Sequence, residues 1–272
     1  MMVPEIRAKL CAGGRIYGTL VVSPSPHWPV HLAGAGLDFV FIDTEHIALD
    51  RGTVSWMCRA YAAAGIAPIV RVPSPDPFAA SGMLDGGAAG IIAPYIETVE
   101  QVQLMRGAVK LAPLKGERLA RILSGAERPE PELAEYLGAR ARERLLLVNI
   151  ESLPAIENLD AILAVPDLDG IVVGPHDLSC SLGAPEDYTS PAFSAVLREI
   201  LEKTRRRGLI AGIHFMSCGP TELAVEWLRW GANLLIQHAD VVYAVRGLAA
   251  ELGAIRAAFG DKPAGEAGRI NV

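Results

Sequence analysis

The 272-residue chain has few cysteines and few aromatic residues, and none of its apolar runs is as long as a membrane span. Its four cysteines, Cys11, Cys58, Cys180 and Cys218, are scattered with no CxxC pair. That spacing argues against a zinc ribbon and a disulfide-stapled scaffold, and suits reduced thiols in a reducing compartment. Crossing a bilayer takes about 20 consecutive apolar residues, and here polar residues or prolines interrupt every candidate. The opening MMVPEIRAKL lacks the apolar stretch of a secretion signal. The expectation is a cytoplasmic protein without a membrane partner. A basic surplus is absent too: 31 acidic residues outnumber 25 basic ones, for a formal charge of −6, which argues against a nucleic-acid binder. The one basic run, Arg205-Arg206-Arg207, ends a helical stretch just before Gly208, where cations are favoured. There is no P-loop and no GxSxG elbow. The glycines of Gly86-Gly87-Ala88-Ala89-Gly90 precede an apolar run and do not follow one, so no nucleotide cofactor is expected.

What the chain does have is rhythm. Short apolar runs rich in β-branched residues, at 16–22, 39–42, 69–72, 90–93, 145–150, 170–173, 209–213 and 233–236, alternate with longer alanine- and leucine-rich stretches. Those stretches predict helices at 29–34, 54–64, 78–84, 99–109, 153–163, 193–207, 221–230 and 241–259. Continuously apolar strands followed by helices imply a parallel sheet covered by helices, and eight such units are the count of a (β/α)8 TIM barrel. Residues 111–140, rich in charge and carrying Pro113, Pro129 and Pro131, read as an elaborated loop after strand 4 with a short helix near 131–140. Residues 1–260 form one domain in this reading, and 261–272 a polar, flexible tail.

In such a barrel the residues just past the strand C-termini share one cavity. This rule collects Asp43, Glu45 and His46 of FIDTEH, Arg71 of IVRVP, Asn149 and Glu151 of LLVNIES, and Gly174, Pro175, His176 and Asp177. His214 and His238 follow the seventh and eighth strands. Taken singly, Glu151 and Asp177 also read as helix N-terminal carboxylates, Arg71 as an ion-pair partner and His46 as a loop histidine. Their joint placement favours chemistry. Two carboxylates leave a hard divalent cation, Mg2+ or Mn2+ and also Co2+, with positions open to water and substrate oxygens. Arg71 then faces charge developing on a 2-oxo acid, and the backbone at 174–177 offers donors to its carboxylate. His46 serves as base, with Asp43 or Asp85 as its partner. Lys110, Lys115, Lys203 and Lys262 lie in or near helices or loops, not at strand ends, which disfavours a Schiff-base mechanism.

FVFIDTEH, IVRVPSPDP, GGAAGIIAPYIETVEQ, LLVNIES and LDGIVVGPHDLSCSLG, in this order, resemble the HpcH/HpaI aldolase family of metal-dependent pyruvate aldolases. The similarity runs from about Gly18 to Leu252. The resemblance implies a (β/α)8 barrel that cleaves a 4-hydroxy-2-oxo acid into pyruvate and an aldehyde. It also implies a homo-oligomer, often a hexamer in which neighbouring subunits exchange the last helix. By motif, Glu151 and Asp177 become metal ligands, Arg71 the enolate-stabilising residue and His46 the base. Asp43 and Asp85 become the base's candidate partners, Asp85 from a neighbouring subunit. The chain departs from the family in having Asn149 where Gln is usual and His176 where Ala is frequent. The family's P-P-x-G-x-R-G loop, which contributes to aldehyde recognition, matches here only at Gly116 and Arg118. Rival expectations are a citryl- or malyl-CoA-type lyase, a decarboxylase of an oxaloacetate-like acid, and a catalytically silent barrel acting as a binding protein. No basic, adenine-stacking surface for coenzyme A is visible in the sequence.

Overall fold

Eight short, almost wholly buried strands pair in parallel and close on themselves in sequence order, the last against the first. The structure, a computed structural model, describes residues 2–216 and 218–261. The strands are β1 (Ile16–Leu20), β2 (Phe39–Asp43), β3 (Ala67–Arg71), β4 (Gly90–Ala93), β5 (Leu145–Ile150), β6 (Gly170–Val173), β7 (Ile210–Phe215) and β8 (Leu234–Ala239). The helices of the first half are α1 (Val3–Cys11), α2 (Trp28–Leu32), α3 (Arg51–Ala63), α4 (Pro77–Gly86), α5 (Val99–Lys110), α6 (Gly116–Leu123) and α7 (Pro131–Arg142). Those of the second are α8 (Leu153–Glu157), α9 (Leu159–Ile162), α10 (Pro175–Ser181), α11 (Pro191–Arg206), α12 (Thr221–Arg229) and α13 (Asp240–Phe259).

Side chains alternate in and out along each strand, which divides the apolar residues into two layers. Phe39, Phe41, Ile69, Ile92, Leu147 and Leu234 fill the barrel interior together with Val3 and Ile6 of α1. Val40, Ile42, Val70, Ile91, Val148 and Ile213 pack outward under the helices. The near-continuous apolar character of the strands thus follows from burial on both faces. Register places Asp43 directly opposite Arg71 at the C-terminal end of the barrel.

All eight predicted strands are present. The stretch 153–163 is not one helix but two, parted at Asn158. In the insertion before β5 the short helix expected near 131–140 is present as α7, and a further helix, α6, forms where only loop was expected. Leu119 and Leu123 of α6 seat against Gly107 of α5, where a Cβ would come within 3.3 and 3.1 Å of them, respectively. Because α5 runs back toward the strand N-termini, the insertion lies at the barrel end opposite Asp43 and Arg71. There the Lys110 ammonium donates to Ala141 O and Arg144 O and pairs with Asp169, and Arg7 of α1 donates to Arg142 O and Arg144 O. Arg118 is engaged by Glu127 and Glu130. Within one chain this segment therefore stands away from the site it was expected to serve. The expected tail from residue 262 onward lies outside the described residues.

Candidate active site

The centre of the barrel mouth is a buried arginine. Arg71 grips Asp43 in a two-pronged pair, Nε to Oδ1 at 2.8 Å and Nη2 to Oδ2 at 2.7 Å, the geometry a planar guanidinium favours. Its guanidinium carbon stands 5.3 Å from the centre of the Phe41 ring. Burial acts to raise the Asp43 carboxyl, but the Arg71 hydrogen bond and charge outweigh it and hold the group below the usual range. Burial likewise works against charge on Arg71, and Asp43, then Glu45 and Glu151, more than offset it. The third guanidinium nitrogen, Nη1, makes no bond to protein among the described residues, so its N–H groups remain for a ligand.

Glu45, which the strand-end rule collected without giving it a role, proves central. Its buried side chain lies 3.0 Å from Arg71 Nε, off the N–H direction that Asp43 occupies, and 3.6 Å from His46 Nε2. The expected partnership of His46 with Asp43 is thus corrected. Both Asp43 oxygens accept from Arg71 and Oδ1 also from the Glu45 backbone N–H, Asp43 reaches His46 only through its charge, and Glu45 is the carboxylate beside the imidazole. Asp85 is exposed near the end of α4, in a surface groove with Arg51 and Ser55, and makes no bond to His46 of its own chain. His46 itself is half exposed, at 54%.

Tyr95 was missed, although it stands two residues past the end of β4, where the same rule would have found it. Its backbone lies in the left-handed region at φ 53°, uncommon for a residue with a Cβ. That turn directs its N–H toward Glu151 Oε1 at 3.4 Å. Its phenol hydrogen-bonds Glu45, which together with the Glu45 charge pushes the phenol up to about 12. Tyr95 therefore ties the arginine cluster to the acidic one.

The acidic cluster meets at Gly174. A Cβ there would fall 2.6 Å from Glu151 Oε2 and 3.5 Å from Asp177 Oδ2, so both carboxylates close on one small space that only glycine leaves open. Asn149, buried on β5, donates from Nδ2 to Glu151 Oε2 at 2.9 Å. The amide that replaces the family's usual Gln thus still reaches the carboxylate. Burial and then the Asp177 charge raise the Glu151 carboxyl to about 7, as expected when two like charges share a buried site. Pro175, His176 and Asp177 open α10. Pro175 has no N–H, so it supplies no donor; the unpaired donors of this first turn are those of His176 and Asp177.

His214, on β7, faces the interior edge-on to Phe41, with ring centres 5.1 Å apart, and its buried Nε2 has no hydrogen-bond partner. Burial, then the Arg71 charge, lower it to about 3. Between about pH 6.5 and 3 the unfolded chain therefore binds a proton here that the folded chain refuses, and stability falls as pH falls. In His214→Leu the drop in urea midpoint between pH 7.5 and 5 should be smaller than in the parent. An equal drop would show that His214 does not titrate this way. His238 instead turns outward toward α13, with Arg246 Nη1 3.0 Å from its Nε2 and the Tyr243 ring beside it.

A barrel whose ionisable groups gather at the strand C-termini has the layout of an enzyme. The chain belongs to the HpcH/HpaI aldolase/citrate lyase family, whose model matches residues 18–236. It is 30% identical over 239 residues to a 2-keto-3-deoxy-L-rhamnonate aldolase of Klebsiella pneumoniae, covering 88% of each chain. It is 29% identical over 240 residues to a hydroxypyruvate/pyruvate aldolase of Roseovarius nubinhibens, covering 87% of this chain and 90% of that one. Among solved structures, an HpcH/HpaI aldolase from Desulfitobacterium hafniense superposes with a TM-score of 0.78 at 25% identity, over 92% of this chain and 96% of the other. No helix among the described residues is long and apolar enough to cross a membrane.

Proposed function

We propose that this chain reversibly cleaves a 4-hydroxy-2-oxo acid into pyruvate and an aldehyde, with a divalent cation held by Glu151 and Asp177. The observation that carries the reading is the convergence of those two carboxylates on Gly174, within electrostatic reach of Arg71. Hard oxygen donors around a space that a Cβ would fill suit Mg2+ or Mn2+, and Co2+ as well. No group of three or more His, Cys, Asp or Glu side chains is arranged for a metal among the described residues, so water and substrate oxygens would complete the shell. When bound, the cation would act as a Lewis acid toward the 2-oxo acid's oxygens.

The protein's own groups do the rest. His46 accepts the 4-hydroxyl proton as the C3–C4 bond breaks, and Glu45 and Tyr95 hold the loop geometry around it. The electron pair of that bond moves toward the 2-oxo oxygen, where Arg71 Nη1 meets the developing charge. The N–H groups of His176 and Asp177 face the substrate carboxylate. Asn149 fixes the Glu151 carboxylate, and Asp43 fixes Arg71.

Gly174→Ala probes the metal site without touching a ligand. The added methyl meets the far end of Glu151, which can swing aside, so the fold should survive. Divalent-metal affinity should weaken by about tenfold or more, the effect of disturbing a ligand's support. Unchanged affinity by calorimetry would place the metal elsewhere. The reaction itself is tested by incubating pyruvate with hydroxylated and unsubstituted aldehydes and several divalent metals. Metal-dependent condensation and exchange of the pyruvate methyl protons are expected. Neither occurring with any metal would overturn the assignment.

The exposed apolar residues of α13, Val245, Leu248, Leu252, Ile255 and Phe259, form a stripe at helical spacing that supports assembly through this helix. We take the protein to be a homo-oligomer, a hexamer by family resemblance, in which Asp85 would reach His46 only from a second copy. The four unpaired cysteines suit the cytoplasm.

A further inference from the structure

At the end of the barrel opposite the active site, a cavity of about 190 Å³ opens between the segments that lead into β1, β7 and β8. Three arginines border it. Arg15 immediately precedes β1, Arg205 lies in the last turn of α11, and Arg229 ends α12. None forms an ion pair with a carboxylate among the described residues, whereas Arg206, next to Arg205, is paired with Glu202. Arg205 spends one donor on Leu209 O at 2.9 Å.

Favourable charge at a helix C-terminus accounts for part of this. Three helices, α1, α11 and α12, end at the cavity, each equivalent to roughly half a negative charge, while the three guanidinium groups carry three positive charges. About one and a half positive charges remain uncompensated. The amide of Asn233 fixes part of the buried wall of the cavity. Asn233 borders the cavity and is 5% exposed. Its Oδ1 accepts from Ala211 N at 2.8 Å, its backbone N–H donates to Ala211 O, and its carbonyl accepts from Ile16 N. Only Nδ2 is left, buried and without a partner, and the Oδ1 bond fixes which way the amide is turned.

We propose that this cavity is a binding site for a small phosphate-bearing anion, separate from the catalytic mouth. Guanidinium groups match phosphate oxygens in pairs, and the volume equals about six waters. That is room for one phosphoryl group and a few further atoms. The site requires nothing of the aldolase chemistry, and its test reads binding, not turnover, so its failure would leave the proposed function untouched.

The probe is inorganic phosphate, titrated by calorimetry into the metal-free protein at constant ionic strength, with and without saturating pyruvate. One phosphate per chain should bind, unaffected by pyruvate, and should raise the melting temperature where chloride at matched ionic strength does not. The double variant Arg15→Gln/Arg229→Gln alters two exposed side chains, so its melting temperature without phosphate should match the parent's. Its phosphate affinity should be weaker by about tenfold or more. Absence of phosphate binding by the parent would overturn the proposal. So would equal binding by the double variant, or displacement by pyruvate, which would place the anion at the mouth.

Discussion

Replacing Glu151 with glutamine should remove metal uptake and lower kcat/KM by about three orders of magnitude, the several kcal/mol a Lewis acid supplies to developing charge. Stability should move the other way. Glu151 is a carboxyl raised to about 7 by burial and by Asp177, so above that pH its ionised form opposes folding of the metal-free protein. The amide keeps the shape and drops the charge. At pH 8 the melting temperature of metal-free Glu151→Gln should equal or exceed the parent's, while Mn2+ should raise only the parent's. Loss of activity together with loss of fold would mean that Glu151 is structural; retained metal-dependent activity would mean that it is not a ligand. Asp177→Asn should likewise lose metal and activity.

Arg71 carries the second large effect, and here structure alters what its place in the sequence implies. At a strand end it reads singly as an ion-pair partner and, with its neighbours, as a group acting on substrate, and spacing does not say that it does both. In the fold it is 6% exposed and neutralises Asp43 and Glu45, at 2% and 7% exposure. Arg71→Ala strands two buried carboxylates, a loss of about 3–5 kcal/mol, and so confuses catalysis with stability. Arg71→Lys separates the two. It retains the charge but not the paired grip on Asp43 or the spare Nη1 donor. Exchange of pyruvate methyl protons should slow by about 10²–10³-fold, as when a preorganised donor is removed from developing negative charge, with most of the fold's stability retained. Exchange at the parent rate would show that positive charge suffices without the guanidinium geometry.

The barrel was legible because its strands are buried on both faces and its helices on one, and that difference is written in the hydrophobic pattern. The strand-end rule likewise brought Asp43, Arg71, Asn149, Glu151 and Asp177 to one mouth. It failed where spacing carries no geometry. Nothing in FIDTEH distinguishes the carboxylate that grips Arg71 from the one beside His46; that follows from the register of β2 on β3, which sets Asp43 opposite Arg71 and leaves Glu45 to the loop. The left-handed backbone of Tyr95 has no signature in APYIETVEQ. The insertion misled for a different reason. The short helix read near 131–140 is there as α7, but the prolines and charges ahead of it look like a loop where α6 forms. Both pack on α5 at the far end of the barrel, because a helix that follows a strand returns the chain to where the next strand begins.

The account rests on Glu151 and Asp177 gripping one dication, and a calorimetric titration of Mn2+ with and without pyruvate, at pH 6, 7 and 8, tests it most directly. It predicts one ion per chain, bound more tightly when pyruvate is present, with affinity falling by about tenfold per pH unit below about 7 as Glu151 takes up its proton. No uptake at any pH, or uptake indifferent to both pyruvate and proton concentration, would contradict it.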